Sequence, residues 1–207
     1  MAESLRGEFQ LLAEPIEITP QDADIAPNQG YFESERELFI GELTDDARWI
    51  FSGMIYGYVV TWVPPFNARG VEEELRIEPI THIPAKDERL KMLSINKIDG
   101  VVYVLMEYTG DFTQQKRLEA WRNPFFPSSA GEGGSPFSGG SRREALEMAI
   151  KEAIENHFTK KEFNRPKGIQ VKVALADFPL IGLDNGAYRA LVSIKVGPSS
   201  VRHYRID

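Results

Sequence analysis

The clearest pattern of apolar and polar residues covers positions 142–158, where apolar side chains recur every three or four residues. This spacing places them on one face of an α-helix. Charges of alternating sign follow at four-residue intervals on the opposite face, which suits contact with water. Ser141 and Glu144 have the spacing of a capping box at the helix start. The pattern predicts a helix that packs on a sheet through Ala145, Leu146, Ala149, Ile150, Ala153, Ile154 and Phe158.

A second helical pattern covers residues 47–58 and has the same three- and four-residue spacing. Residues 44–46, Thr-Asp-Asp, suit the start of this helix. The preceding segment 37–43 is predicted as a short strand, with a helical turn as the alternative. Aromatic and β-branched residues predict a strand at 58–63. The apolar stripe of the helix consists of Ala47, Ile50, Phe51, Met54, Ile55 and Tyr58.

Several segments have the pattern of antiparallel strands. The clearest hairpin joins residues 93–98 to 101–108 through Asp99-Gly100, which suits the positive φ angles of a type I′ turn. Residues 169–175 alternate between apolar and polar, which predicts a strand with one buried face. The remaining elements are an extended segment at 71–83, a helix from Asp111 to Arg122 with Gln114 as capping-box partner, a turn at 184–186, and strands at 187–196 and 201–206 separated by a turn at Gly197-Pro198.

The segment 124–141 divides the chain, because its glycines, serines and prolines predict a flexible loop. Residues 1–30 are predicted as an extended N-terminal arm, 31–123 as a helix with antiparallel strands, and 142–207 as a helix with three strands. The last piece is too small to fold alone and is expected to form one cooperative unit with 31–123. The predicted class is α+β, with amphipathic helices packed on antiparallel β-sheet. Two helix-plus-meander halves are one interpretation of the element order.

The composition excludes several classes of protein. The net charge of −7 argues against nucleic-acid binding and against a polybasic membrane anchor. There is no cysteine, which excludes disulfides, thiolate metal sites and cysteine nucleophiles. No apolar run approaches the roughly 18 residues of a transmembrane segment. The absence of cysteine suits an oxidising envelope compartment as well as the cytoplasm, and the first residues do not resemble a signal peptide.

No pattern of residues indicates catalysis or a cofactor. His82, His157 and His203 are far apart and lack the spacing of zinc-binding motifs. There is no Gly-x-Ser-x-Gly elbow, and the glycines at 131–140 lack the Lys-Ser/Thr ending of a phosphate-binding loop. The acidic run at 72–74 is typical of a solvated face. The sequence predicts no catalytic residue, metal site or cofactor, and it favours a non-catalytic protein while leaving an enzyme open.

Aromatic side chains are the candidates for a binding surface. Trp49 lies off the apolar stripe of its helix, and an exposed aromatic residue there would mark an interface or cleft. Packing against the arm or the helix of Trp121 is the alternative. The predicted surface consists of Trp49, Tyr56, Trp62, Trp121, Phe125 and Phe126.

A candidate anion site lies at the start of the helix at 142–158. Ser141 opens this helix, whose first backbone N–H groups are free to bind an anion. Arg142 and Arg143 add positive charge beside it. The ordinary alternative is a flexible connection followed by a helix cap.

Four segments carry a resemblance to a known family. Residues 51–57 read Phe-Ser-Gly-Met-Ile-Tyr-Gly, Pro64 follows, and residues 68–73 read Ala-Arg-Gly-Val-Glu-Glu. Residues 186–190, Gly-Ala-Tyr-Arg-Ala, extend the likeness over most of the chain. Here the sequence resembles uncharacterised spirochaete envelope proteins of unknown function. The resemblance implies an exported protein whose signal has been removed, and it implies no catalytic residue.

Together these observations predict a non-catalytic envelope or periplasmic protein that acts as a macromolecular interaction module. A protein partner or a second copy of the chain would be its ligand. The alternative is a small-ligand-binding protein or enzyme with a pocket between the helix at 47–58 and the sheet. A cytoplasmic location remains the alternative to the envelope.

Overall fold

The computed structural model describes residues 4–12, 29–65, 70–99, 101–138, 140–159 and 167–203. Across these ranges the chain forms three helices and nine strands, and the strands pair antiparallel in two sheets. This arrangement confirms the predicted α+β class.

The larger sheet consists of β2 Tyr58–Val63, β3 Glu74–Pro79, β6 Ser128–Pro136, β7 Lys167–Leu175, β8 Leu180–Asp184 and β9 Ala187–His203. The spatial order is β3-β2-β7-β9-β6, and β8 also pairs with β9. Since β2 pairs with β7, strands from the early and late parts of the chain share one sheet. The two halves of the chain therefore do not form separate sheets. The same pairing supports one cooperative unit, which stays a prediction.

The smaller sheet has three strands, β1 Ser4–Leu12, β4 Leu90–Ile98 and β5 Val101–Thr109, with β5 in the middle. The predicted hairpin between β4 and β5 is confirmed, and Asp99 has the positive φ of 49° that the turn needs. Phe9, Val104, Met106 and Tyr108 are buried on one face of this sheet.

The helices are α1 Gln29–Ile55, α2 Phe112–Trp121 and α3 Arg142–Thr159. The capping box of α2 is confirmed, because Asp111 and Gln114 each bond the other's backbone N–H through a side-chain oxygen, at 2.9 and 2.8 Å. All seven apolar residues predicted on the buried face of α3 are buried, and α3 packs on β6 and β9.

The prediction of a flexible loop at 124–141 is wrong for residues 128–136, which form β6 and pair with β9. The glycines here serve close packing. A Cβ added to Gly131 would lie 2.3 Å from the carbonyl oxygen of Ala149, and one added to Gly133 would lie 2.2 Å from that of Ala145. Only a residue without a side chain lets the backbone of α3 approach the strand so closely.

The short strand predicted at 37–43 is also wrong, because these residues belong to α1. Leu43 is buried and continues the spacing of Ala47 and Ile50. Thr44 donates a hydrogen bond from its hydroxyl to the Ile40 carbonyl at 2.7 Å, so it lies inside the helix and does not cap its start. The helix ends at Ile55, three residues before the predicted end.

Two other predicted boundaries change. Gly197-Pro198 does not end a strand: β9 continues through it to His203, and one extra residue on β9 shifts the register against β7. This is a β-bulge, which bends a strand without ending it. Within the predicted arm, residues 4–12 form β1; residues 1–3 and 13–28 lie outside the described residues.

Candidate functional site

One face of β6 and β9 is covered by α3, and β8 extends the same sheet beside β9. The opposite face, called here the open face, carries exposed side chains. Val192, Ala190 and Ile181 point to the covered face and are buried. On the open face, Leu180 is 71% exposed and Leu191 is 48% exposed. Large apolar side chains on an uncovered sheet face are a recognised mark of interaction surfaces.

The strand register sets three open-face side chains in one row. Glu132 of β6 lies directly opposite Leu191 of β9, and Leu191 lies opposite Leu180 of β8. Ala130 and Ser193 form the next row. Directly opposite residues on antiparallel strands have Cβ atoms about 5 Å apart, so the two leucines make a continuous apolar strip with a carboxylate at one end.

This strip is the floor of an open groove of about 520 Å³, called here the outer groove. Side chains of α3 border it beyond β6, and the turn before β8 borders it on the other side. Its lining consists of Ala130, Gly131, Glu132, Glu152, Asn156, Asp177, Phe178, Leu180, Leu191, Val192 and Ser193.

The α3 border is fixed by hydrogen bonds to the free edge of β6. The Asn156 side-chain amide donates to the Ala130 carbonyl at 3.0 Å, and the backbone N–H of Glu132 donates to the Glu152 carboxylate. An unpaired strand edge otherwise invites pairing with another chain. The helix thus closes this edge locally and holds Glu152 at the rim of the outer groove.

The opposite border is anchored by Phe178. Its ring packs edge-on against the ring of Phe9, with the centroids 5.3 Å apart. It also packs at a tilt against the ring of Phe51, with the centroids 5.6 Å apart. A Cβ on Gly7 would lie only 2.0 Å from this ring, so β1 leaves the space that the phenylalanine fills. With Phe178 held inward, the preceding Asp177 is exposed at the rim.

The outer groove is negatively charged. Its described lining residues include the carboxylates of Glu132, Glu152 and Asp177, and none of these lining residues is a lysine or arginine. Arg189 lies one row further along the face, over Gly134. Its guanidinium nitrogens are 3.8 Å from carboxylate oxygens of Glu132 and Asp184, so these ion pairs are loose, and exposed pairs of this kind contribute little.

Two residues of the predicted aromatic surface are buried. The Trp49 ring stacks at a tilt on Tyr58 at 4.4 Å, beneath the guanidinium of Arg143 at 4.3 Å. Trp62 is 5% exposed and its indole N–H donates to Glu73 at 2.9 Å. Neither side chain presents a surface to a partner; both contribute to the core.

The other four predicted aromatic residues differ in their exposure. Trp121 and Phe126 pack on each other at 5.1 Å and are half-buried. The Tyr56 hydroxyl accepts a hydrogen bond from Gln114 at 2.7 Å. Phe125 is 90% exposed, so it is the one member of the predicted set that offers a large free ring.

The candidate anion site is occupied by the protein's own carboxylates. Arg142 is buried and its Nε donates to Asp46 at 3.1 Å, while Arg143 donates to the other oxygen of Asp46 at 3.1 Å. The Ser141 hydroxyl accepts from the Glu144 N–H at 3.1 Å, which confirms the cap. The Glu144 carboxylate instead accepts from Ser135 at 2.7 Å. These bonds hold α3 against α1 and β6. Both arginines already bind Asp46, so they are not available to an external anion.

The alternative pocket between the helix at 47–58 and the sheet is filled by side chains. Ala47, Ile50, Phe51 and Ile55 are each at most 1% exposed. The Tyr58 hydroxyl reaches back to donate to the Trp49 carbonyl at 3.0 Å, and burial raises the pKa of Tyr58 well above its usual value. This region is core.

A polar network that the sequence did not indicate joins the smaller sheet to α2. The Tyr108 hydroxyl donates to Asp87 at 3.1 Å and accepts from Gln114 at 2.9 Å. Arg89 bonds Asp87 at 2.6 Å and Asp111 at 3.1 Å. Hydrogen bonds from Arg89 hold the pKa of Asp87 at about 2, and burial raises the pKa of Tyr108 to about 12. These polar side chains bond one another, so the network is structural. It connects the smaller sheet to α2 and is called here the polar joint.

Among the described residues, no three histidine or acidic side chains are grouped so as to hold a metal ion. Within the same ranges, no helix has the length and apolar character needed to cross a membrane.

Comparison with known proteins gives a family and no activity. A protein-family model matches residues 2–204. An uncharacterised protein of Treponema pallidum (strain Nichols) is 21% identical over 171 residues, which cover 79% of this chain and 70% of that protein. No solved structure matches the chain. Because the family model spans nearly all of the sequence, the chain belongs to that family, an uncharacterised family of unknown function.

Proposed function

We propose that this protein is a non-catalytic interaction module that binds another protein through the outer groove. The observation that carries the proposal is the pair Leu180 and Leu191, exposed side by side on the uncovered sheet face. Contiguous exposed apolar side chains ringed by polar residues are typical of protein–protein interaction sites.

The form of the outer groove favours a macromolecule over a small ligand. Sites for small molecules enclose most of the ligand's surface and bring together a few buried polar groups. Here Leu180 is 71% exposed and the side chain of Glu132 is 57% exposed. A small molecule on this surface would remain largely in water, whereas a partner's surface would cover the strip.

Photo-crosslinking tests the proposal. A benzoylphenylalanine at position 191 should yield a discrete adduct of higher mass when the full chain is irradiated in its source cells. The same residue at position 148, where Met148 is 37% exposed on α3, is the control and should yield none. Replacement at position 125 tests the exposed Phe125. An adduct at 125 and none at 191 would move the binding surface away from the outer groove, and no adduct at either position would contradict an interaction module.

We further propose an envelope or periplasmic location. A chain without cysteine suits an oxidising compartment, and the resemblance described above implies export. Protease treatment of intact and of outer-membrane-permeabilised cells tests this location. Degradation only after permeabilisation of the outer membrane is expected, with a cytoplasmic protein as the resistant control. Resistance equal to that control would place the protein in the cytoplasm.

A further inference from the structure

The charge of the outer groove restricts what it can bind. Three carboxylates line the strip, the part of its lining that the structure describes has no cationic residue, and the whole chain carries a net charge of −7. A phosphate backbone or an anionic lipid surface would be repelled at this site. An apolar side chain alone would use the leucines and make no use of the carboxylates.

The positions of the carboxylates set the pattern of a complementary ligand. Glu132 stands in the same cross-strand row as Leu191 and Leu180. Glu152 borders the row beyond β6, and Asp177 borders it on the side of β8. Acidic groups thus flank the apolar strip at both ends. A segment lying across β6, β9 and β8 would meet acid, then apolar surface, then acid.

We propose that the occupant of the outer groove is an extended segment of a partner protein in which apolar residues are flanked by lysine or arginine. This inference rests on the proposed function and adds the partner's chemistry. The apolar side chains would cover Leu180 and Leu191, and the basic side chains would face Glu132 and Asp177. Complementary charge of this kind speeds association and selects among partners.

The carboxylates available to such a ligand can be separated from those the fold uses. Glu152 accepts the backbone N–H of Glu132, so its removal would also disturb the β6 edge. Asp177 is exposed, and Glu132 has only the loose contact with Arg189 at 3.8 Å. Glu132→Gln with Asp177→Asn therefore removes charge and leaves the hydrogen bonds of the sheet in place.

The test uses three synthetic seven-residue peptides and the full chain. Because alternate side chains of an extended peptide share one face, Lys-Ser-Leu-Ser-Leu-Ser-Lys carries the proposed pattern, Glu-Ser-Leu-Ser-Leu-Ser-Glu reverses the charge, and Lys-Ser-Ser-Ser-Ser-Ser-Lys removes the apolar component. Nuclear magnetic resonance titration in low salt reports where each peptide binds. We expect the first peptide to shift the amide signals of residues 130–132, 177, 178, 180 and 191–193, and the other two to bind with a Kd at least about tenfold higher, which corresponds to about 1.4 kcal/mol.

Variants separate a specific site from general attraction to an acidic protein. Leu180→Ser should abolish the shifts, and the fold should persist because this side chain is largely exposed. Glu132→Gln with Asp177→Asn should weaken binding about tenfold. The matched control, Glu72→Gln with Glu74→Gln, makes the same change in net charge at exposed residues elsewhere and should leave the affinity unchanged.

The outcomes distinguish this inference from the proposed function. Equal binding of the acidic peptide, or equal weakening by the control pair, overturns the basic–apolar partner while an adduct at position 191 still supports an interaction module. Crosslinking of position 191 to a second copy of the chain, with a dimer in sedimentation, overturns a separate partner. Absence of both peptide shifts and adduct overturns both proposals.

Discussion

Different kinds of interaction hold the two sheets to their helices. The larger sheet meets α3 through glycine and apolar contacts so close that Gly133 has no room for a Cβ. The smaller sheet meets α2 through hydrogen bonds between Tyr108, Gln114, Arg89 and Asp87. The first contact depends chiefly on shape, with hydrogen bonds through Asn156, Glu152 and Glu144 added along β6, whereas the second depends on charge and direction. Shape should therefore dominate the stability, and charge should determine its response to acid.

The largest effect should come from adding one methyl group to the close contact. Gly133→Ala would set a Cβ 2.2 Å from the Ala145 carbonyl oxygen and 2.3 Å from the Ala149 nitrogen. Since both are backbone atoms of one helix, α3 would have to move as a body. We expect a loss of about 4 kcal/mol or more in the free energy of unfolding, measured by urea denaturation.

Gly134→Ala is the matched control for that change. A Cβ there meets the Arg189 side chain at 3.2 Å, which is flexible and can move aside. We expect a change within about 0.5 kcal/mol, as for other surface substitutions. Similar losses for both variants would mean that the glycines serve the strand itself and not its contact with α3.

The second prediction concerns the apolar contacts between α3 and the larger sheet. Ile150 is fully buried at the centre of α3, so Ile150→Ala removes buried carbon and leaves a cavity. The expected loss is about 2–5 kcal/mol. Glu147→Ala on the same helix should cost less than the isoleucine change, because burial disfavours the charged carboxylate and so raises the pKa of Glu147. Thermal melts at two protein concentrations check this; a concentration-dependent loss would place Ile150 in a dimer interface.

Periodic patterns made much of this fold predictable, and long-range contacts limited the rest. The buried face of α3 and the β4–β5 hairpin follow from local spacing and from Asp99 in the turn. Gly131 and Gly133 in β6 are indistinguishable from loop glycines until α3 is placed over them. The start of α1 was missed because Thr44 has the chemistry of a cap, yet its hydroxyl bonds a carbonyl within the helix.

The outer groove was beyond sequence reasoning for a related reason. Its central row combines Glu132, Leu191 and Leu180, which come from three strands. No local pattern brings them together, and one of those strands was predicted as a loop. Composition identified aromatic residues, but Trp49 and Trp62 are needed in the core. The remaining signal was an apolar residue on the solvent-exposed face of a strand, as at Leu180 and Leu191. Such a residue can be recognised only when it is known which face of the sheet is covered.

The third prediction tests the polar joint by its response to acid. Asp87 has a pKa of about 2 in the folded protein against a usual value of 3.8. A depressed folded pKa stabilises the protein above the unfolded value, and this contribution falls as the pH decreases from about 4 to about 2. It amounts to at most about 2 kcal/mol.

Denaturation at pH 6, 4 and 3 checks this contribution by comparing the protein with Asp87→Asn. The difference between them should shrink as the pH falls, because protonation removes the charge that the variant lacks already. Asp184→Asn, at a side chain that is 54% exposed, should follow the parent at every pH. A constant difference for Asp87→Asn would show that Arg89 does not stabilise its charge.

The smallest effect should come from removing one hydroxyl at the centre of the polar joint. Tyr108→Phe keeps the buried ring and loses the bonds to Asp87 and Gln114. Both partners retain other bonds, Asp87 with Arg89 at 2.6 Å and Gln114 with Tyr56 at 2.7 Å. We therefore expect a loss of only about 1 kcal/mol in urea denaturation, with Tyr103→Phe, outside this network, as the control. A loss as large as that of Gly133→Ala would contradict the distinction between the two joints, because hydrogen bonding would then hold the smaller sheet as firmly as packing holds the larger one.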